Sequence, residues 1–172
     1  QLNAAYPWID TANTDTTASI TYTQTEGGLV MTVSTTSDYA VAQTKQWHHY
    51  LNGKSQIIEI TASDFHPQSG ITKRMGYFSS STSAPFSASL DGIFLETADG
   101  AEPTVNVYKN GTQVHQTAKA SWNIDPLDGT GPSGLTISGN NWQRFTVFVF
   151  DFLYLGGTSV RFGFIANGGI QW

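Results

Sequence analysis

The chain has 172 residues, of which 12% are charged and 13% aromatic, with no cysteine and a formal net charge of −5. That length fits one domain with a core of its own, and the lack of cysteine excludes disulfides, thiolate metal sites and cysteine nucleophiles. Eight Lys and Arg, scattered along an acidic chain, supply no basic patch for nucleic acid or for an anionic membrane.

The remaining composition is rich in Ser, Thr, Asn, Gly and aromatic residues. β-Branched and aromatic side chains suit a pleated, half-buried surface, and Gly, Asn and Asp make turns. The sequence contains no 18-residue apolar run of the kind a membrane-spanning helix needs. The opening QLNAAYPWID has neither the basic n-region nor the apolar h-region of a retained signal peptide.

In chain order, residues 1–17 are rich in Thr, Asn and Asp and read as an N-terminal arm, with Tyr6-Pro7-Trp8 available for docking. Residues 18–25 and 29–36 alternate in polarity around Glu26-Gly27-Gly28 and predict a hairpin. Residues 55–62 predict a strand with Ile58 and Ile60 on one face and Ile57 and Glu59 on the other. Further strands are expected at 72–79 and 91–97, on either side of a serine-rich connection at 79–89. The sharpest local signal is PTVNVYKNGTQVHQT, residues 103–117. Asn110-Gly111 accepts the positive φ of a two-residue type I′ turn. Simple pairing then puts Lys109 opposite Thr112 and Val107 opposite Val114. Residues 142–155 carry valines on one face and phenylalanines on the other, which predicts a central strand covered on both sides. A strand at 159–165 and an Asn167-Gly168 turn pairing Ile165 with Ile170 end the chain.

About nine short strands and no helix predict an all-β protein, an antiparallel β-sandwich of jelly-roll type, with residues 18–172 as a single domain.

Chemistry-bearing patterns are sparse. His48 and His49 are adjacent and would point to opposite faces of a strand, and His66 and His115 stand apart. Asp91 and Glu96 are five residues apart, hence on opposite faces, and Glu59 has no partner at 57 or 61. A retaining glycosidase pair needs carboxyl groups about 5 Å apart. Gly131-Pro132-Ser133-Gly134 is no nucleophile elbow. No catalytic residue, metal site or cofactor is therefore assigned. Asn123, Asp125 and Asp128 offer oxygen ligands at short spacing, but not in EF-hand register.

The long loop SWNIDPLDGTGPSG, residues 121–134, stands out because Pro126 and Pro132 restrict it while Gly129, Gly131 and Gly134 let it turn tightly. Its Trp122, Asp125 and Asp128, with Trp8 and Trp47, are the candidate interface or sugar-contact residues. Tryptophan rings stack on sugars, yet core or interface packing is their commoner use.

The runs WHHYLNGKSQIIEIT, TKRMGYFSS, DGIFLETADG, SWNIDPLDGTGPSGLTIS and FVFDFLYLGGTSVRFGFI resemble a group of virion structural, capsid-associated proteins of tailed phages and related aquatic viruses. The resemblance spans residues 47–165 and implies a location in the virion. It implies a non-enzymatic role, as decoration, cement or tail component, in which subunits adhere to each other. Other capsid or tail subunits and further copies of the chain are then the expected partners, with neither nucleic acid nor membrane among them. The competing reading, from the tryptophans and amide-rich loops, is a carbohydrate-binding module of a receptor-binding fibre, with a glycan as partner. A third reading, a β-sandwich glycan hydrolase, lacks a local carboxylate pair.

Overall fold

The computed structural model describes residues 9–13, 17–25, 27–46, 48–49, 54–79, 91–144, 146–153 and 159–172. The chain divides into two compact units, one of Gln1–His49 with Ser80–Ser89 and one of Tyr50–Ser79 with Leu90–Trp172. This division does not follow the boundary that composition suggests near residue 18.

The first unit holds two antiparallel pairs. Strands β2 (Ser19–Thr23) and β3 (Gly28–Thr32) form the expected hairpin, with Ile20 opposite Met31 and Tyr22 opposite Leu29. Strand β1 (Ile9–Asn13) pairs with β4 (Ala40–Thr44). Neither is foreshadowed, because IDTAN and AVAQT lack clear alternation and β1 lies within the segment read as an arm. The turn after β3 is pinned by Asp38. Its carboxylate accepts hydrogen bonds from the Thr17 hydroxyl (2.5 Å), the Ser34 N–H (2.8 Å), the Thr35 N–H (2.9 Å) and the Thr35 hydroxyl (2.9 Å).

The second unit is an antiparallel sandwich. One sheet has the order β12-β11-β10-β5, from β5 (Gln56–Ala62), β10 (Thr146–Leu153), β11 (Ser159–Ala166) and β12 (Gly169–Gln171). The other is a meander, β6-β7-β8-β9, from β6 (Thr72–Phe78), β7 (Gly92–Ala98), β8 (Thr104–Lys109) and β9 (Thr112–Ala118). Its strands are neighbours in sequence order, so the crossover lies in the first sheet, where β5 pairs with the distant β10.

Alternation explains the stacking. On β10, Phe148, Phe150 and Phe152 face inward, together with Ile58 and Ile60 of β5 and Phe162 and Phe164 of β11. Met75, Ile93, Leu95, Val105 and Val107 of the meander complete the core. Val149, on the other face of β10, is also fully buried, as expected of a central strand. Each fully buried phenylalanine or leucine contributes about 1.5–3 kcal/mol by leaving water. Ring pairs such as Phe148–Phe164 (5.2 Å) and Tyr77–Phe152 (5.7 Å) add edge-to-face contacts.

Both Asn-Gly turns form, with φ of 49° and 71° at Asn110 and Gly111 and of 53° and 78° at Asn167 and Gly168. Ile165 pairs with Ile170 as expected. The β8–β9 register departs from simple pairing. Lys109 lies opposite Thr112, but a bulge between Val107 and Tyr108 sets Val107 opposite His115, not Val114. The extra residue turns Val114 outward, 56% exposed, and aligns His115 with the inner face. The predicted strand at 142–155 begins later, at Thr146. Trp142 instead sits in a 3-10 turn over Gly139–Gln143 and stacks on Phe148 at 6.3 Å. Glu102 holds this turn, accepting from the Gly139 N–H (2.6 Å) and the Trp142 indole N–H (3.1 Å).

Candidate binding cleft

The loop at 121–134 is built around two aspartates. Asp125 is buried, and its oxygens accept from the N–H groups of Leu127 (2.9 Å) and Ser133 (2.8 Å). Gly131 must be glycine here, because a Cβ would lie 2.3 Å from an Asp125 carboxylate oxygen. Asp128 accepts from the backbone and hydroxyl of Thr130, at 2.9 and 2.6 Å. Backbone bonds from Gly129 to Leu135 and from Ile137 to Leu127 fold the segment back on itself. Leu127, at φ 53°, is driven into the core. The Lys119 ammonium donates to the Leu127 carbonyl at 3.2 Å.

These contacts set the charges. Burial pushes the Asp125 carboxyl up, but hydrogen bonds from the Ser133 hydroxyl and N–H and from the Leu127 N–H outweigh it and hold the group below its ordinary value. The Thr130 hydroxyl, then its N–H, lower Asp128, with a smaller contribution from Lys119. Both aspartates therefore serve the loop as anionic staples.

Trp122, at the start of the loop, packs on Phe162 (5.3 Å) and Phe164 (5.7 Å). It forms part of the wall of a cleft of about 910 Å³ that lies wholly within the second unit. Val105, Val107 and Ile93 of the meander form one side, and Phe152, Phe162 and Phe164 the other. His115 and Thr117 of β9 lie at the edge of the meander, with His115 Nε2 2.9 Å from the Thr117 hydroxyl. Gln171 and Trp172 line it from the β12 side. Among the described residues, no strand pairs with the outer edge of β9 or of β12.

Arg161 also lines the cleft, and its Nε is buried without an acceptor. Its guanidinium donates to Asp151 at 2.7 Å and lies 4.3 Å from the Trp172 ring centroid. The carboxylates weighed for catalysis are dispersed. Glu96 pairs with Arg74, Asp91 accepts from the Asn110 N–H at 2.6 Å, Asp151 holds Arg161, and Glu59 is exposed. His66 lies beside Asp64, with Nδ1 to Oδ1 at 2.7 Å. Among the described residues, no three His, Cys, Asp or Glu gather as a metal site.

Of the five expected contact residues, the structure brings Trp122 and Asp125 to the cleft and puts Asp128 in the turn beyond it. Trp8 and Trp47 lie outside the described residues. Sequence reasoning missed His115, Thr117, Phe162 and Phe164 as cleft residues. The phenylalanine alternation on β11 was a usable signal, whereas the bulge that orients His115 was not. No protein-family model, curated protein or solved structure matches the chain.

Proposed function

We propose that the chain is a non-enzymatic structural protein of a virus particle, on the capsid or in the tail, that holds neighbouring subunits together. Adhesion comes from apolar burial and from backbone pairing along free strand edges. The observation that carries this reading is the set of sheet edges left unpartnered among the described residues, β5 and β12 of one sheet and β6 and β9 of the other, in a sandwich that also exposes Val114, Ile57 and Ile165. A free edge is a template for another strand, and exposed apolar side chains beside it add area to bury. The placement in a virion rests on the block resemblance over residues 47–165. The sugar-binding reading gains little support from Trp122, whose ring is engaged by Phe162 and Phe164. Quantitative mass spectrometry of purified particles tests the proposal: the chain is expected in fixed ratio to a capsid or tail subunit, and particles that lack it would overturn the reading.

A further inference from the structure

We propose that the free side of β11, at residues 159–162, accepts a β-strand of another polypeptide, antiparallel to β11 and with alternate apolar side chains turned into the cleft. This deepens the proposed adhesion along strand edges and rests on that reading, though not on the placement in a virion.

The first observation is an interrupted ladder. On one side of β11, β10 pairs from Ser159 to Phe164. On the other side, β12 pairs only with Phe164, Ile165 and Ala166. Among the described residues, no strand, bridge or loop hydrogen bond meets the backbone of 159–162 on that second side. The Asn167-Gly168 turn decides which groups stay open. Ala166 and Gly169 flank a two-residue turn and form a hydrogen-bonded pair, and such pairs recur at every second residue. Phe164 and Gln171 are the next pair. The N–H and C=O groups of Phe162 and Val160 point the same way and meet no strand. The backbone of another strand matches such a row of donors and acceptors along its length.

The second observation is where that strand's side chains would lie. Residues directly opposite Phe162 and Val160 share their face of the sheet, and both of these side chains line the cleft. Val160 is 45% exposed. The cleft, about 910 Å³, reaches across to His115 and Thr117 on β9, the edge strand of the facing sheet. Apolar lining alone would suit any apolar molecule; the open ladder beside it selects a strand. That strand needs apolar residues at two alternate positions.

The third is an unguarded edge. Edges that must stay free commonly carry Lys, Pro or a bulge. Residues 159–162 include no Lys or Pro, and the β10–β11 register runs without a shift. The one charge among them, Arg161, turns its guanidinium to Asp151.

The probe is a synthetic peptide of residues 55–62, SQIIEITA, capped at both ends. Laid antiparallel, it sets its Ile58 opposite Phe162, its Glu59 opposite Arg161 and its Ile60 opposite Val160. It is titrated into the full ¹⁵N-labelled chain, and amide hydrogen exchange is read at each step. Saturable binding is expected, with the Val160 and Phe162 amides exchanging about tenfold more slowly at saturation, or slower still. N-methylation of the peptide at Ile58 and Ile60 removes two donors aimed at β11 and keeps both side chains; binding is expected to weaken about tenfold or more. Val160→Pro removes an edge N–H that pairs with no strand, so the variant is expected to fold and to lose the peptide. Should it fail to fold, the N-methylated peptide carries the test. The proposal is overturned by absence of saturable binding, by Val160 and Phe162 amides protected before peptide is added or unprotected at saturation, or by an N-methylated peptide that binds as tightly as its parent. A chain that takes the peptide but is missing from purified particles overturns the virion placement and leaves the strand site standing.

Discussion

Asp38 shows how much of this chain depends on carboxylates that accept several hydrogen bonds. The Thr17 hydroxyl, then the Ser34 N–H and the Thr35 groups, pull its pKa from 3.8 to about 2, against a smaller opposing effect of burial. Asp125 and Asp128 are lowered as well. A group lowered on folding contributes stability above its unfolded value, and that contribution is lost as pH falls towards the folded value. The fold should therefore weaken from about pH 4 downwards, with the Asp38 contribution gone only near pH 2. Hydrogen exchange, corrected for intrinsic rates, tests this: the Ser34 and Thr35 amides are expected to be protected at pH 6 and to lose protection near pH 2. Asp38→Asn should lower protection at pH 6 and change it little at pH 2. In the 121–134 loop the critical residue is the smallest. Gly131→Ala would drive a methyl group into the Asp125 carboxylate and is expected to cost about 1–3 kcal/mol in urea unfolding. The aspartates and glycines of this loop were legible as a rigid feature. Their role as staples was not, because it depends on Ser133 and Leu127 N–H groups whose orientation only the folded loop sets.

Elements set by local chemistry were the most legible. The β2–β3 hairpin and both Asn-Gly turns needed only a turn signal between alternating runs. The central place of β10 followed from apolar residues on both of its faces. Elements defined by distant partners were not visible. Strands β1 and β4 are short and lack alternation, and each is identified by the other. Trp142 looked like the start of a strand, yet Glu102, forty residues earlier, draws it into a 3-10 turn. The bulge at Val107 is the most consequential of these, because it decides which side of β9 faces the cleft. It yields a sharp contrast. Val114→Asp is expected to fall within about 0.5 kcal/mol of the parent in urea unfolding, since Val114 projects into solvent. Val107→Asp, which puts a charge into the core, is expected to cost several times as much. Equal costs at the two positions would mean that Val107 and Val114 face each other without a bulge.

For the whole molecule, sandwich architecture was readable because alternation recurs in strands such as β5, β8 and β11. The order of the strands was not, since the β5–β10 pairing joins segments far apart in sequence. The two units also differ in how much they bury. Among the described residues of the first unit, Ala18 is the one buried hydrophobic residue, whereas the second unit encloses Phe94, Leu95, Leu127, Trp142, Phe148, Val149 and Phe150 almost completely. Amides of β2 and β3 are accordingly expected to exchange faster than those of β7 and β10 in native-state hydrogen exchange. On the proposed adhesive role, a well-packed sandwich with free edges offers a fixed surface. Ile57 and Val114 are well exposed on the two sheets of that sandwich and can be charged without loss of the core. The most direct test is incorporation of the Ile57→Lys, Val114→Lys double variant into virus particles, followed by quantitative mass spectrometry with circular dichroism as the folding control. The account predicts a folded variant that falls at least tenfold in its ratio to the neighbouring capsid or tail subunit; a folded variant incorporated at the parent ratio would contradict it.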